Sequence, residues 1–393
     1  MNDQIESIVP ERKPMNAKVV ASGWCLLLLG FVLSFFAYAA EPKHAAFAHL
    51  VGFLFLTSIA IGALFYVALE YLSGAVWSVP MRRVNEFLAA LIPFAALFAL
   101  PLFFHLSEIF PWAQQHAASD ALLQSKRPYL NLTFFIIRFV FVFFVLTTFY
   151  LLFTRNSQRQ DIDENPKHTW WNIRLSAVFM PIFAVGLTLI AIDWAMSLEA
   201  HWYSTIYGIY YFSGIALAGV STATYVIVKF HDHKYFSTLR PDHFYSLGTL
   251  MFVFVNFWAY IAFSQFLLIW YANLPEETIW FLARWNDGWQ YVSILLIIVH
   301  FAVPYFVLLP QDAKMDPRRL KFMALWILAA QYLDLYWLVM PSYSTTPVFG
   351  WMEIGFVLFI IGLIIVLMNW KMKRINLLPI GDPKLQRGLQ FHL

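Results

Sequence analysis

Residues 48–75 have the sequence AHLVGFLFLTSIAIGALFYVALEYLSGA, in which Glu70 is the only Asp, Glu, Lys or Arg. A helix needs about 20 mostly apolar residues to span the hydrocarbon core of a bilayer, and this segment is long enough. Nine other segments of the chain share its character. The ten predicted spanning helices are residues 18–40, 48–75, 84–108, 129–153, 174–197, 204–229, 244–271, 288–310, 320–341 and 348–370.

The composition of the whole chain agrees with a membrane protein. Apolar residues make up 61% and charged residues 12% of the 393 residues, and the mean hydropathy is +0.64. Soluble domains are nearer half apolar and a quarter charged. We therefore expect an all-α, polytopic integral membrane protein that forms one membrane domain over residues 1–393. No segment has the composition of a soluble domain, and nothing in the chain indicates nucleic-acid binding.

The basic residues predict the orientation of the helices. Twenty-one of the 26 Lys and Arg lie in the N-terminal segment 1–17, in alternate loops, at the adjoining helix ends and in the C-terminal tail 371–393. Four lie on the opposite side, and Arg138 lies within helix 4. Cytoplasmic loops carry the excess of Lys and Arg in membrane proteins. The sequence therefore predicts that both termini are cytoplasmic.

Cysteine and histidine usage argues against a metal or redox centre in this chain. A single cysteine, Cys25, excludes a CxxC zinc site, an iron–sulfur cluster and a covalently attached haem. His105 and His300 differ in predicted depth by roughly 15 Å, too much for two axial ligands of one haem. The other nine histidines are assigned to loops, tails or helix ends. The sequence predicts no metal site and no cofactor bound covalently or by ligation.

Ionisable side chains inside membrane helices are costly, so they are candidates for function. Polar groups spaced across the membrane are what a proton path needs. The proton-path candidates are Glu70, Asp193, His300, Asp334 and Glu353, together with the tyrosines Tyr66 and Tyr260 of two polar helix stripes.

A second set lies near the predicted outer surface, where a quinol site would need a proton acceptor beside aromatic walls. The quinol-proximal candidates are His105, Glu108, Arg138 and Asp193, of which His105 and Glu108 share one helical face. Asp193 belongs to both sets.

Each candidate also has a structural interpretation. Glu108, Asp193 and Glu353 could extend to the outer interface, and Arg138 could form an ion pair with Asp193 or Glu108. His300 could bond a backbone carbonyl freed by Pro304. The tyrosine and serine stripes could be packing contacts.

Aromatic residues are frequent in the predicted outer loops. They are compatible with an interfacial belt, with docking onto extramembrane subunits, or with both. The residues are Phe110, Trp112, Trp202, Tyr203, Trp280, Trp285 and Trp289.

Residues 193–208, DWAMSLEAHWYSTIYG, resemble a stretch of the polysulfide-reductase membrane subunit (NrfD-like) family. The closest likeness is to the branch found in alternative complex III, a bacterial quinol:cytochrome c oxidoreductase. Asp193, Ser197, Glu199 and His201 are the polar positions that the motif carries over, and Ala200 stands where the family is expected to have proline. The resemblance extends over the whole chain in length and helix count.

The resemblance implies two parallel four-helix bundles, helices 2–5 and 6–9, flanked by helices 1 and 10. It also implies a bacterial inner-membrane location, a quinol such as menaquinol as ligand, and bound lipids. The implied partners are a paired NrfD-like quinol-oxidising subunit, an iron–sulfur subunit, cytochrome c subunits and a terminal oxidase. The chain itself would contribute proton conduction, a quinol-facing surface, or both.

Two other functions remain compatible with the sequence. A structural scaffold would need the membrane helices but no proton or quinone role. A secondary transporter would use the buried charges, although its broken helices usually occupy matched positions in two halves. Pro93 and Pro101 in helix 3 and Pro304 in helix 8 are not matched in this way.

Overall fold

The computed structural model describes residues 12–114, 118–236 and 238–393. Over these residues the chain is all-helical, with ten helices long and apolar enough to cross a membrane, as the sequence predicts. Residues 1–11 of the predicted N-terminal segment lie outside the described residues. The spanning helices are α1 (Ala17–Ala40), α2 (Pro42–Ser73), α3 (Val79–Phe104), α4 (Leu132–Asp163), α5 (Lys167–Trp194), α6 (Tyr207–Asp232), α7 (Pro241–Ala272), α8 (Trp289–Leu308), α9 (Pro317–Val339) and α10 (Trp351–Met372).

The helices form the two expected bundles. In the first, α2 packs on α3, α3 on α4, α4 on α5, and α5 returns to α2. In the second, α6 to α9 repeat the same ring in the same order. Helices α1 and α10 pack side by side, and α10 contacts α2. We call the side on which α1 begins and α10 ends the terminal face, and the opposite side the far face.

The two bundles meet where α2 crosses α6. Gly62 and Gly219 face each other there, and a Cβ atom on either would overlap the backbone of the other helix. The relationship is reciprocal: the Gly62 position meets Gly219, and the Gly219 position meets Gly62. Small residues at such crossings let two helix backbones approach closely in a membrane. This contact therefore holds the two bundles close together.

Helix α2 begins six residues earlier than predicted and is almost completely buried. Pro42 occupies the first turn, where its missing N–H costs nothing, and Gly74 ends the helix with a φ of 67°. The prediction began at residue 48 because Lys43 and His44 interrupt the apolar pattern. Helix α2 packs against helices of both bundles and against α10, so burial begins at His44, although Lys43 beside it is exposed.

Helix α3 is segmented, whereas the sequence predicted one continuous helix over residues 84–108. It consists of a 3₁₀ turn at Val79–Met81, α-helical pieces at Arg82–Ala89 and Ile92–Phe98, and a 3₁₀ turn at Leu100–Phe104. Pro93 and Pro101 each lie in the first turn of a new piece. Proline lacks an N–H and clashes with the preceding turn, which explains both breaks.

Candidate functional site

Asp334 of α9 lies inside the second bundle, with 1% of its surface exposed. One carboxylate oxygen accepts a hydrogen bond from the Tyr210 hydroxyl of α6. The other accepts a bond of 3.3 Å from Trp258 Nε1 of α7. Both donors are neutral, and no lysine or arginine among the described residues forms an ion pair with Asp334. Because an ionised carboxylate is costly to bury without a counter-charge, Asp334 is a candidate for binding and releasing a proton.

His300 of α8 lies against the other side of the same indole. Its ring stacks on Trp258 with a centroid distance of 3.9 Å, and its Nε2 is 3.1 Å from Gln331 Oε1 of α9. His300 Nδ1 is buried and makes no hydrogen bond within the described chain. The indole of Trp258 therefore joins an imidazole and a carboxylate in the interior of one bundle.

A π-helical turn, Ile297–Ala302, carries His300. Such turns hold one more residue than an α-helical turn and are frequent at functional sites. The next helical piece begins at Val303 and has Pro304 in its first turn, so the carbonyl of Val299 lacks its backbone donor. Trp326 Nε1 of α9 donates to that carbonyl at 2.8 Å. The freed carbonyl is thus satisfied by Trp326, and His300 is left to contact Trp258 and Gln331.

Arg138 and Asp193 form a fixed ion pair in the first bundle. Arg138 Nε and Nη2 donate to the two carboxylate oxygens at 2.8 and 2.9 Å, and Arg138 Nη1 donates to the Tyr129 carbonyl at 3.0 Å. The Tyr129 ring also covers the guanidinium, 3.8 Å from its centroid. Burial, followed by the charge of Asp193, raises the pKa of the Tyr129 phenol. The structure resolves the predicted choice of partner in favour of Asp193.

A cavity of about 220 Å³ lies beside this pair. Tyr129, Ile192 and Trp202 line it, and Ser197 and Ala200 of the 193–208 motif also face it. Lys126 lies at the cavity and donates to the Ala200 carbonyl at 2.5 Å. Partial burial lowers the pKa of the Lys126 ammonium. The motif therefore folds around a small apolar cavity next to an ion pair.

His105 and Glu108 lie together at the far face, as the sequence predicts, but away from Arg138. His105 Nδ1 is 3.3 Å from Glu108 Oε2, and their side chains are 23% and 40% exposed. The His105 ring stacks on Tyr38 of α1, with a centroid distance of 5.0 Å. Tyr38 in turn bonds His49 of α2 through a contact of 2.8 Å to Nδ1.

His49 is buried between Phe98 and Phe356, with its ring stacked on Phe356 at 4.7 Å. Its Nε2 makes no hydrogen bond of good geometry, although the backbone of Phe98 lies within electrostatic range. His49, Tyr38, His105 and Glu108 thus form a chain from a buried imidazole to an exposed carboxylate. We call these four residues the far-face chain.

Glu353 is fully buried at the start of α10. Its Oε1 lies 2.7 Å from His44 Nε2 of α2, and its Oε2 accepts from the Gly350 N–H at 2.8 Å. The His44 ring stacks on Tyr343 at 4.9 Å. Glu353 therefore neither extends to the membrane–water interface nor contacts Asp334. Its contact with His44 links α10 to the first turn of α2.

Glu70 belongs to a buried ion cluster on the terminal face. Arg82 contacts Glu70 at 3.1 Å, Glu86 at 3.6 Å and Asp382 at 2.5 Å. Arg83 contacts Glu86 at 2.7 Å and Asp161 at 2.5 Å. The terminal-face cluster, as we name it, consists of Glu70, Arg82, Arg83, Glu86, Asp161 and Asp382. Four carboxylates therefore surround two guanidinium groups.

The two predicted tyrosines lie apart from these groups. Tyr66 donates to the Ala216 carbonyl of α6 at 3.0 Å, which makes it a packing contact between the bundles. Tyr260 is 66% exposed on the outside of α7, because α7 buries the opposite face. The Asn256 and Ser264 side chains on that helix bond carbonyls of their own preceding turns. The α7 stripe therefore does not line an interior path.

Most of the predicted outer-loop aromatics are part of the protein core. Phe110, Trp112, Trp202, Trp280 and Trp289 are buried, whereas only Tyr203 and Trp285 of that set are exposed. The Trp202 and Trp280 rings stack at 4.8 Å across the two bundles. For the five buried rings, the expectation of an interfacial belt or a docking surface is wrong, because the loops fold back onto the helix ends.

His44 and His49 are the polar residues that the sequence reasoning missed. Both were assigned to loops or helix ends, but both are buried on α2. Their spacing of five residues gives no signal, because helical residues share a face at spacings of three or four. Helices α1 and α10 cover this part of α2, and that contact is not visible in a local sequence pattern.

Comparisons with known proteins add no further identification. No protein-family model matches the chain, and no curated protein matches it. The resemblance of residues 193–208 to the NrfD-like family therefore stays a prediction. The established description is a multi-pass, all-α membrane protein with ten candidate spanning helices.

Proposed function

We propose that this chain is an integral membrane subunit of a respiratory quinol:cytochrome c oxidoreductase of the alternative complex III type. It conducts protons and holds no redox centre of its own. It lies in the bacterial inner membrane with both termini in the cytoplasm, so the far face is the outer face. Its partners are a paired NrfD-like subunit, an iron–sulfur subunit, cytochrome c subunits and a terminal oxidase, with menaquinol and lipids as ligands.

The observation that carries the proton-conducting role is the environment of Asp334. A carboxylate inside a membrane bundle is normally paired with a cation or lines a functional path. Among the described residues Asp334 has only the neutral donors Tyr210 and Trp258, whereas Asp193 has a bidentate arginine. Asp334 therefore lacks the partner that a structural carboxylate would have.

The test is proton release per electron by the purified parent complex in sealed vesicles, with Asp334→Asn in this chain. We expect quinol oxidation to continue while transmembrane proton release falls. Asp232→Asn is the matched control, because Asp232 is a half-exposed carboxylate paired with Lys321 at the end of α6. Unchanged proton release in Asp334→Asn, with the complex fully assembled, contradicts the proposal.

The far-face chain supports a second candidate function, a quinol-facing surface. Quinol oxidation releases two electrons and two protons, and the electrons would pass to a redox centre of a partner subunit. The partly exposed His105 would accept one hydroxyl proton, Glu108 would stabilise the resulting imidazolium, and the second proton would leave to water at the far face. The partly buried Tyr38 and the buried His49 behind it would hold the His105 ring in place.

His105→Gln tests this second function through the quinol dependence of the oxidation rate. We expect a lower kcat/KM for quinol with unchanged assembly. His44→Gln is the control, since His44 also pairs with a glutamate on the far face but is buried. Equal effects of the two substitutions would remove the reason to place quinol at His105.

A further inference from the structure

The two bundles can be compared position by position, because α2 to α5 and α6 to α9 form the same ring of neighbours. The reciprocal contact between Gly62 and Gly219 gives the register between α2 and α6. Nine residues before each glycine stand Phe53 in α2 and Tyr210 in α6. Phe53 packs on Trp194, directly after Asp193, and Tyr210 bonds Asp334.

The last helix of each ring carries an aspartate in its far-face half. Asp193 is in α5 and Asp334 is in α9. The ring that the glycine register selects contacts Trp194, the residue after Asp193, in the first bundle and Asp334 itself in the second. Asp334 is therefore the counterpart of Asp193.

Helices α4 and α8 also carry related sequences. Ile-Ile-Arg-Phe occupies 136–139 of α4, and Ile-Ile-Val-His-Phe occupies 297–301 of α8. The second sequence has one extra residue, Val299, and it lies within the π-helical turn Ile297–Ala302. A π turn takes up one residue more than an α turn, so the helix on either side keeps its register. His300 is therefore the counterpart of Arg138.

The same positions carry different chemistry in the two bundles. In the first, arginine, which stays charged in proteins, holds Asp193 through two hydrogen bonds. In the second, the arginine is replaced by histidine, the phenylalanine by tyrosine, and the direct pair by contacts to the shared Trp258. Histidine can gain and lose a proton near neutral pH, whereas arginine cannot.

We infer that Asp334 and His300 form a proton-binding site in the second bundle, at the place where the first bundle has a fixed ion pair. The site holds one proton in either of two arrangements. In one, Asp334 is a carboxylic acid and His300 a neutral imidazole. In the other, the proton has left the carboxyl oxygen and a ring nitrogen of His300 carries it, so that a carboxylate and an imidazolium both contact the Trp258 indole. This inference rests on the proposed function only for the destination of the proton.

The surroundings of the site come from every helix of the bundle. Tyr210 of α6, Trp258 of α7 and Gln331 of α9 contact the pair directly. Tyr207 of α6 and Arg284, in the segment between α7 and α8, lie within electrostatic range of this region. Arg284 donates to the carbonyls of Trp280, Trp337 and Leu338, and burial lowers its pKa to about 10. Arg284 therefore remains a fixed positive charge that is not bonded to Asp334.

Infrared spectroscopy of the purified complex tests the site without using its activity. We expect a carboxylic-acid C=O band that is present in the wild type and absent in Asp334→Asn. Asp232→Asn, the control, should remove no such band, because Asp232 is a partly exposed carboxylate paired with Lys321. Failure to find an acid band of Asp334 at any pH at which the complex is stable overturns the inference.

Giving α8 the sequence of α4 at these positions should replace the proton-binding site with a fixed ion pair. Deletion of Val299 combined with His300→Arg is expected to give Asp334 a fixed cation and to abolish the acid band. A band that persists in an assembled variant overturns the inference. His300→Asn is a milder change that tests the inference even where the deletion variant does not fold. It should move the pH at which the band is lost, and an unchanged pH contradicts a shared site.

These results separate the inference from the proposed function. If the acid band behaves as expected while proton release per electron is unchanged in Asp334→Asn, the site exists but the conducting role fails. If proton release falls although no acid band of Asp334 is found, the conducting role survives and the paired site is wrong.

Discussion

Gly62 of α2 and Gly219 of α6 lie in direct backbone contact at the point where the two four-helix bundles meet. A Cβ atom at Gly62 would overlap the Ile215 carbonyl and would lie 2.9 Å from Gly219 Cα. Neither obstacle is a flexible side chain, so the helices themselves would have to separate. The joint between the bundles therefore depends on the absence of two side chains.

We expect Gly62→Ala to lower the stability of the protein by about 1–3 kcal/mol, the usual range for overpacking of a close contact. The measurement is the Tm of the detergent-solubilised protein. Gly186→Ala in α5 is the matched control, because its Cβ would meet only Val142 Cγ1 at an ordinary 3.5 Å. Equal Tm values for the two variants would show that the glycine crossing does not hold the bundles together.

Removing one partner of the buried Arg138–Asp193 pair should be strongly destabilising. Asp193→Leu leaves a buried guanidinium without a counter-charge, and such a change costs about 3–5 kcal/mol. The double variant Arg138→Met with Asp193→Leu should recover most of that loss, because no charge remains buried. Both are measured by thermal unfolding in detergent.

The control for this prediction is Asp232→Asn. Asp232 pairs with Lys321 at 2.5 Å, but both side chains are partly exposed. Exposed pairs contribute at most about 1 kcal/mol. If Asp193→Leu costs no more than Asp232→Asn, the Arg138 pair does not stabilise the first bundle.

Arg138 and Asp334 differ in how much of their environment can be predicted from the sequence. The ten helices and the buried position of Asp334 follow from hydropathy and loop charge, because each depends on local composition. The partner of Arg138 could not be chosen, since Asp193 and Glu108 are both near the same end of the first bundle. The structure separates them by placing Glu108 beside His105 and Tyr38.

Tertiary contacts explain the residues that local patterns missed. His49 was invisible as a site residue because its partner, Tyr38, is in another helix. The π turn around His300 requires a comparison of α4 with α8, and the equivalence of those helices appears only once the two rings are known. The burial of Trp112, Trp202, Trp280 and Trp289 cannot be predicted from the sequence, because the folding of loops onto helix ends leaves no periodic signal.

The loop between α3 and α4 should respond to acid. Asp120 accepts hydrogen bonds from the Leu123 and Leu122 N–H groups, and His201 Nε2 lies 2.6 Å from its other oxygen. The Leu123 bond and then His201 lower the pKa of Asp120. A lowered pKa means that the stabilisation is present above the ordinary aspartate pKa, about 3.9, and is lost as the pH falls through the folded value.

We therefore expect the amides of Ala121–Lys126 to lose protection from hydrogen exchange below pH about 4, after correction for the intrinsic rate. Asp120→Asn should keep much of the cap, because asparagine is also a good N-cap residue, but should abolish the change with pH. Protection that falls equally in both proteins would assign the acid effect to another group.

The C-terminal tail should be held against the terminal face by Asp382. The Asp382 carboxylate contacts Arg82 at 2.5 Å, and two more tail contacts support it. The Gly381 N–H lies 3.4 Å from Asp161 Oδ1, and the Gly388 carbonyl lies 2.8 Å from His243 Nε2 of α7. A Cβ atom at Gly381 would overlap the Gln160 carbonyl. The tail therefore spans the terminal ends of α4, α3 and α7.

Asp382→Asn weakens the ion pair between the tail and Arg82. Arg82 still has the carboxylates of Glu70 and Glu86 as partners after this change. We expect the tail to detach more often and trypsin to cleave faster at Lys384 and Arg387. Gly381→Ala should have the same effect through steric overlap, without changing the charge.

The control is Asp312→Asn, because Asp312 is an exposed acid in the loop between α8 and α9. If Gly381→Ala accelerates cleavage and Asp382→Asn does not, close packing rather than the ion pair holds the tail. If neither does, neither the Asp382 ion pair nor the close packing at Gly381 holds the tail against the terminal face.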